Sequence, residues 1–308
     1  MQKINAVTLK QLRALRHVAA EGSISSAAAE LGLTAPAVHT QIRNLEKALD
    51  CAILEQSGAF GARFTPEGQV MLEVETQISA SLTNGLERIR SLQHGQSGLV
   101  VLGVVSTAKY FVPGLVAQIN RAFPEIDVIL KVGNRQEILR ELNDSSLDLI
   151  IMGRPPRSPI NIAYNIGPHP HVMVASSDNP LSHRRDIPAM DLLAETFLAR
   201  EEGSGTRLLM TRYLDRIGEG VPYRMIEMGS NETIKQAVMA DLGVAMISQH
   251  TVTEEIRSGR LVALDAPELP MTRQWYVLHR EDLTISKTTE TVLDFILAQN
   301  AAFLPRLD

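Results

Sequence analysis

Residues 23–49, SISSAAAELGLTAPAVHTQIRNLEKAL, decide the fold of the first part of the chain. Ala27, Ala28 and Leu31 share one face of a short helix that ends at Gly32, a residue that takes the left-handed conformation of a helix C-terminus without steric cost. Thr34 then stands at an N-cap position, with Pro36 in the first turn of the helix that follows. Val38, Ile42, Leu45 and Leu49 make one apolar stripe along that helix. Upstream, Leu9, Leu12, Leu15 and Ala19 recur at helical spacing as far as Gly22. Short helices joined by a tight glycine-containing turn are the helix-turn-helix pattern. Downstream, Ile53-Leu54 and Arg63-Phe64 flank a stretch containing Gly58 and Gly61, which suggests a two-stranded wing. Residues 1–64 are therefore expected to form an all-α winged helix-turn-helix domain.

Thr65-Pro66 restarts a helix, and Met71, Val74, Ile78, Leu82, Leu86 and Ile89 then step by three or four residues between polar neighbours. A helix of about 25 residues would span roughly 37 Å. So narrow an apolar stripe needs a partner; a second copy of itself is the simplest, and its own domain is the alternative. Residues 65–95 are read as a linker and dimerisation helix ending in a hinge, Gln93-His94-Gly95-Gln96-Ser97-Gly98. Beyond the hinge, strand-like runs at 99–105, 126–132, 147–152, 172–176, 196–199, 244–248 and 275–279 alternate with helical segments such as 112–123, 207–217 and 234–240. That alternation predicts an α/β domain with a largely parallel sheet. Residues 96–308 are long enough for two lobes with a cleft between them, about 96–168 with 268–308, and 169–267.

Composition sets bounds on function. The 308 residues are 44% hydrophobic and 21% charged, with a formal net charge of −5, values typical of a soluble globular protein of more than one domain. Residues 1–64 hold seven Lys and Arg against five Asp and Glu, while the remainder holds 23 against 30; the basic end is the one expected to meet DNA. Cys51 is the single cysteine, so no internal disulfide and no oxidising compartment is implied. No secretory apolar region follows Lys3, Lys10 and Arg13, and no run approaches a membrane span. A cytoplasmic protein without a membrane partner is expected. Hydrolase and nucleotide-hydrolysis motifs are missing: Gly203-Ser204-Gly205 has the wrong spacing for a nucleophile elbow, and no phosphate loop of the GxxxxGK[ST] type occurs. No catalytic residue is nominated.

Several motifs carry a family resemblance. Ser23, Ala27, Ala28 and Leu31, the Ala35-Pro36-Ala37 opening of the third helix, Ile42 with Leu45-Glu46, and Phe64-Thr65-Pro66-Glu67-Gly68 resemble the DNA-binding domain of LysR-type transcriptional regulators. The chain departs from the usual family pattern at Ala35-Pro36 and His39-Thr40. Further blocks are similar to the branch of that family controlling carbon-dioxide fixation (Rubisco) operons. They are Lys109-Tyr110-Phe111-Val112-Pro113, Val132-Gly133-Asn134-Arg135, Met152-Gly153-Arg154-Pro155-Pro156, Gly167-Pro168-His169-Pro170-His171, Gly203-Ser204-Gly205-Thr206-Arg207 and Met228-Gly229-Ser230-Asn231-Glu232-Thr233. The resemblance implies a linker helix followed by a periplasmic-binding-protein-like effector domain, acting as a homodimer or homotetramer on a double-stranded DNA operator, with RNA polymerase as a further partner. It also implies a small-molecule effector and no tightly held cofactor. The effector would be a sugar phosphate, another phosphorylated Calvin-cycle metabolite or NADPH. A regulator of another operon, sensing an aromatic or amino-acid carboxylate, is the competing member of the class. A solute-binding protein, which shares the effector fold, is the competitor from outside it, and the helix-turn-helix speaks against that.

Candidate contacts to DNA are Ser23, Ser25, Ala35, Pro36, His39, Thr40, Arg43 and Arg63. Arginine reads guanine through a bidentate pair, whereas Ser, Thr and His give weaker or phosphate contacts. In the effector domain three helix starts present hydroxyls, and free N–H groups at such ends favour anions. Ser106, Thr107 and Lys109 follow the first strand, Ser204 and Thr206 open a second helix, and Ser230, Asn231 and Thr233 open a third. Arg135, Arg154 and Arg207 are candidates for counter-charge. His169 and His171 lack nearby carboxylates or thiols, so no metal site is expected there, and they are read as a hinge or lobe boundary.

Overall fold

The computed structural model describes residues 6–55, 62–93 and 98–307. The chain divides into two units, Met1–Gly85 and Leu86–Asp308.

In the first unit, α1 (Leu9–Glu21), α2 (Ile24–Leu31) and α3 (Ala35–Leu49) enclose a core of Leu12, Leu15, Val18, Ala27, Val38, Ile42, Leu45 and Ile53. Each helix starts on a side-chain cap: the hydroxyls of Thr8, Ser23 and Thr34 accept from the amides of Gln11, Ser26 and Ala37. Such a cap contributes about 1 kcal/mol. Gly32 ends α2 at φ +64°, its amide returning to the carbonyls of Ala28 and Ala29. An antiparallel bridge joins Leu54 to Phe64, and the Glu55 amide donates to the Arg63 carbonyl at 2.9 Å, which forms the base of the expected wing. Gly58 and Gly61 lie outside the described residues. The helix α4 (Pro66–Gln93) has 28 residues, about 42 Å at 1.5 Å per residue. The Thr65 hydroxyl accepts from the Gly68 amide at 3.0 Å. A Cβ at Gly68 would lie 2.3 Å from the Ile53 carbonyl oxygen, so only glycine lets this helix approach so closely. Met71, Leu72 and Ile78 pack onto the unit's own core, whereas Leu82, Leu86 and Ile89 are 50%, 58% and 52% exposed. The hinge residues His94–Ser97 lie outside the described residues.

The second unit is α/β, but its sheet is mixed, not largely parallel as expected. The strands β1 (Gly98–Val105), β2 (Ile126–Gly133) and β3 (Leu149–Met152) pair in parallel around β1. The long strands β4 (Asn161–Ser176) and β9 (Met271–Arg280) pair antiparallel with each other, and β9 pairs antiparallel with β3. The reason is topological: β4 carries the chain out of the first lobe and β9 brings it back, so the two crossings run in opposite directions. Strands β7 (Ala245–Ser248) and β8 (Leu261–Ala263) add antiparallel to the far half of β4. Strands β5 (Thr196–Arg200) and β6 (Arg224–Met228) form a separate parallel pair.

One core gathers Leu102, Val104, Leu115, Ile119, Ile151, Trp275, Val277 and Ile296 under α5 (Val112–Ala122) and α11 (Lys287–Ala298). A second gathers Met173, Phe197, Leu209, Tyr213 and Met246 under α8 (Gly205–Gly218). The helix α6 (Arg135–Asn143) packs against β1, β2 and β3, and α9 (Asn231–Met239) against β4, β5, β6 and β7; α7 (Ala189–Leu193) and α10 (Gln249–Arg257) lie in the same unit. Among the described residues no helix is long and apolar enough to cross a membrane.

Candidate functional site

The candidate sites are a surface of the first unit and a cavity of the second. On α3 the buried stripe of Val38, Ile42 and Leu45 leaves Pro36, His39, Thr40 and Arg43 exposed on the opposite side. The Thr40 hydroxyl donates back to the Pro36 carbonyl at 2.8 Å. Arg43, with its side chain 70% exposed, lies 3.4 Å from Glu46. Glu46 is itself anchored, because its Oε1 accepts from the amides of Ile53 and Leu54 at 3.0 and 3.4 Å. The carboxylate that ties the wing strand to α3 thus also orients Arg43, a role the sequence pattern at Glu46 did not reveal. Ser25 and Arg63 are exposed. Two expected contacts are otherwise engaged: Ala35 packs against the core, and the Ser23 hydroxyl caps α2 and donates to Ser26 Oγ at 2.8 Å.

In the second unit a cavity of about 80 Å³ is lined by Ser106 and Thr107 beyond β1, Arg135 of α6, Gly153 and Arg154 after β3, His169 and His171 of β4, Ser204 and Thr206 at the start of α8, Arg212 of α8, and Arg273 of β9. The local sequence explains the placement. Strand β1 ends at Val105 and the chain turns at once, leaving Thr107 5% exposed in the wall. Ser204 occupies the N-cap of α8 with no capping hydrogen bond from its side chain, so its hydroxyl stays available beside the helix's own free N–H groups. The Gln136 amide donates to the Gly203 carbonyl at 3.3 Å, fastening the start of α6 to the start of α8.

Four arginines and two histidines line this wall and no carboxylate does. Among the described residues none of Arg135, Arg154, Arg212 and Arg273 forms an ion pair with a carboxylate; Arg135 donates instead to the Arg154 carbonyl. Burial and the neighbouring Arg154 guanidinium lower the pKa of Arg135, and burial with Arg154 and Arg212 does the same for Arg273. Uncompensated positive charge in a partly desolvated cavity is a site for an anion.

The third helix start is not part of this wall. The Arg200 guanidinium fills the place an anion's partner would take: it donates to Asn231 Oδ1 at 2.6 Å and to Ser106 Oγ at 3.0 Å, and it grips Glu201 through two bonds of 2.7 Å. Asn231 is 1% exposed. Ser230 caps α9 and bonds Thr233 Oγ1. Lys109 pairs with Glu232 at 2.7 Å, and Tyr110 donates to the same carboxylate. Those bonds hold the Glu232 pKa down at about 2 against its partial burial. Arg207 pairs with Glu227. Lys109, Arg207, Ser230 and Thr233, expected as effector contacts, are instead bonded to partners within the fold, whereas Asn231 accepts from Arg200 through Oδ1 while its buried Nδ2 has no hydrogen-bond partner. His169, His171, Arg212 and Arg273 enter the site unforeseen. Sequence alone gives the histidines only the role of a hinge or lobe boundary, and a lone arginine in a helix or strand looks like any solvated charge.

Two family models match the chain: "Bacterial regulatory helix-turn-helix protein, lysR family" over residues 9–69 and "LysR substrate binding domain" over residues 93–301. The chain is similar to the HTH-type transcriptional regulator CbbR of Cereibacter sphaeroides, 47% identical over 99% of each chain. It is also similar to CbbR of Xanthobacter flavus, 42% identical over 97% of this chain and 90% of that one. Among solved structures, the regulatory domain of Synechocystis PCC6803 CcmR in complex with 2-PG is 36% identical. It covers 66% of this chain and 97% of its own, with a TM-score of 0.62. Full-length CbnR complexed with target DNA, at 18% identity, shares the fold over 96% of this chain and 100% of its own, with a TM-score of 0.69.

Proposed function

The chain belongs to the LysR family of transcriptional regulators, and from that premise we propose that it controls carbon-dioxide fixation genes in answer to a small phosphorylated metabolite. The observation that carries this is the cavity wall of four arginines and no carboxylate, set against the open start of α8. The kinship with the CbbR regulators and with the CcmR domain that holds 2-PG supports it. Thr107, Ser204 and Thr206 supply hydroxyl donors, and Arg135, Arg154, Arg212 and Arg273 supply charge. The clustering of this charge in one pocket suits a compact phosphorylated ligand. The protein is read as a cytoplasmic regulator and not an enzyme. On the DNA side, Pro36, His39, Thr40 and Arg43 of α3 face the major groove, with Ser25 and Arg63 on the flanking backbone. Two or four copies engage operator half-sites about 34 Å apart, or a multiple of that, and RNA polymerase is the further partner.

Calorimetry on the full chain with 2-PG, sugar phosphates, NADPH and aromatic carboxylates tests the assignment. Phosphate esters are expected to bind, and Thr107→Ala and Thr206→Ala each to weaken them about tenfold, the loss of one hydrogen bond to a charged group. Binding confined to aromatic carboxylates would move the chain to another branch of the family. Phosphate ester affinity untouched by either substitution would put the ligand elsewhere.

A further inference from the structure

His169 is 4% exposed, and its Nδ1 has no hydrogen-bond partner. Its Nε2 lies 3.0 Å from the hydroxyl of Ser248, which is fully buried at the end of β7. The ring stacks on Trp275 with centroids 3.7 Å apart and planes 14° from parallel, so it cannot turn to satisfy Nδ1 elsewhere. The space in front of Nδ1 is kept open by Gly153, where an added Cβ would come within 2.8 Å of that nitrogen; both residues line the cavity. Directly across the β4–β9 ladder from His169 stands Arg273, whose Nε is also buried without a partner. Two orphaned polar atoms, on paired residues of a wall that already collects arginines, are costly unless a ligand meets them.

We propose that His169 contacts the effector through Nδ1, next to Arg273, and takes up a proton as the effector's anionic head seats, so that binding is coupled to protonation. This rests on the cavity being an anion site. Without ligand, the groups facing the ring are unfavourable to a proton. His171 on β4 lies 4.2 Å away between centroids and His250 of α10 lies 6.1 Å away, and Arg273 of β9 adds a fixed charge. Trp275 and Ser248 are neutral, and Arg154, Arg135 and Arg212 complete the wall. Burial first, then His171, His250 and Arg273, hold the imidazole pKa well below its ordinary value, so the empty site is neutral there. A phosphate monoester carries close to two negative charges at neutral pH; placed against Nδ1, these are the nearest charges to the ring and favour the imidazolium form. The donor then becomes charge-assisted, and Ser248 keeps the second ring nitrogen bonded.

The test is calorimetric titration of the full-length protein with glycerol phosphate and with 2-PG, near pH 7.5, in Tris and in HEPES, whose ionisation enthalpies differ widely. The expected result is a heat that depends on buffer with the sign of proton uptake, and an affinity that rises as pH falls toward neutrality. His169→Asn keeps an amide nitrogen near the position of Nδ1 and does not titrate. It is expected to abolish the uptake and weaken binding about tenfold or more, with the thermal melt reporting whether the fold survives. Buffer-independent heats in the wild type, with binding intact, would overturn the protonation and leave the anion site standing. Unchanged affinity in a folded His169→Asn would overturn the contact. Binding of neither phosphate ester would remove the anion site itself, and this proposal with it.

Discussion

At the scale of single residues, α3 shows how an exposed charge is held in place. Arg43 is long and solvated, yet Glu46 reaches it at 3.4 Å while being pinned by two amides of the wing strand. An arginine aimed by a fixed carboxylate loses less entropy when it meets a base edge. Arg43→Ala is expected to leave the fold intact and weaken operator binding by about 1–3 kcal/mol, read in an operator titration; unchanged affinity would take Arg43 off the reading surface. Thr107, Ser204 and Thr206 were legible in the sequence because a hydroxyl at a strand end or helix start has a recognisable position. His169 and Arg273 were not, because they meet only through pairing between β4 and β9, about a hundred residues apart in sequence, and no local spacing records that register. The start of α9 carried the same hydroxyl signature as α8 but is occupied by Arg200. Sequence shows that a helix end can take a charged partner; it does not show whether the protein already supplies one.

At the scale of elements, α4 carries one apolar stripe with two different fates. Its first turns cover their own domain through Met71, Leu72 and Ile78, so the alternative weighed from the sequence holds for that half. Farther along, Leu82, Leu86 and Ile89 remain about half exposed, and a second copy of the helix is the partner we assign to them. Replacing Leu82 and Leu86 by Asp sets like charges across a symmetric seam, which is strongly unfavourable. Sedimentation is expected to show monomers with an intact fold; a double variant that still dimerises at low concentration would place the seam elsewhere. Ile78→Asp, by contrast, is expected to lower the melting temperature of the N-terminal domain. Periodicity announced the stripe and could not divide it, because both halves repeat with the same spacing. The mixed sheet is hidden in the sequence for a related reason: alternation of strands and helices is visible, but strand direction is set by where β4 and β9 cross between lobes, not by their composition.

At the scale of the whole molecule, the buried histidines tie stability to pH. Burial above all holds the pKa of His171 and His250 down at about 4, against about 6.5 in an unfolded chain. The unfolded state therefore binds more protons between those values, and protection present above about pH 6.5 is lost as pH falls toward 4. Between about pH 7.5 and about pH 5 each histidine is expected to cost on the order of 2 kcal/mol. Urea unfolding of wild type against His171→Gln should show a smaller loss in the variant; equal losses would mean that His171 is not the group responsible. The ribbon of β4 and β9 has a mechanical consequence as well. Because these strands pass from one lobe to the other, they act as an axle, and His169 with Arg273 sits on the axle, not out on the blades. Displacement grows with distance from a fulcrum, so a turn of a few degrees there moves the cavity wall very little and the outer ends of the lobes a good deal more. On the proposed reading, what the lobes pass outward is an angle, set by a ligand of only a few atoms at the pivot.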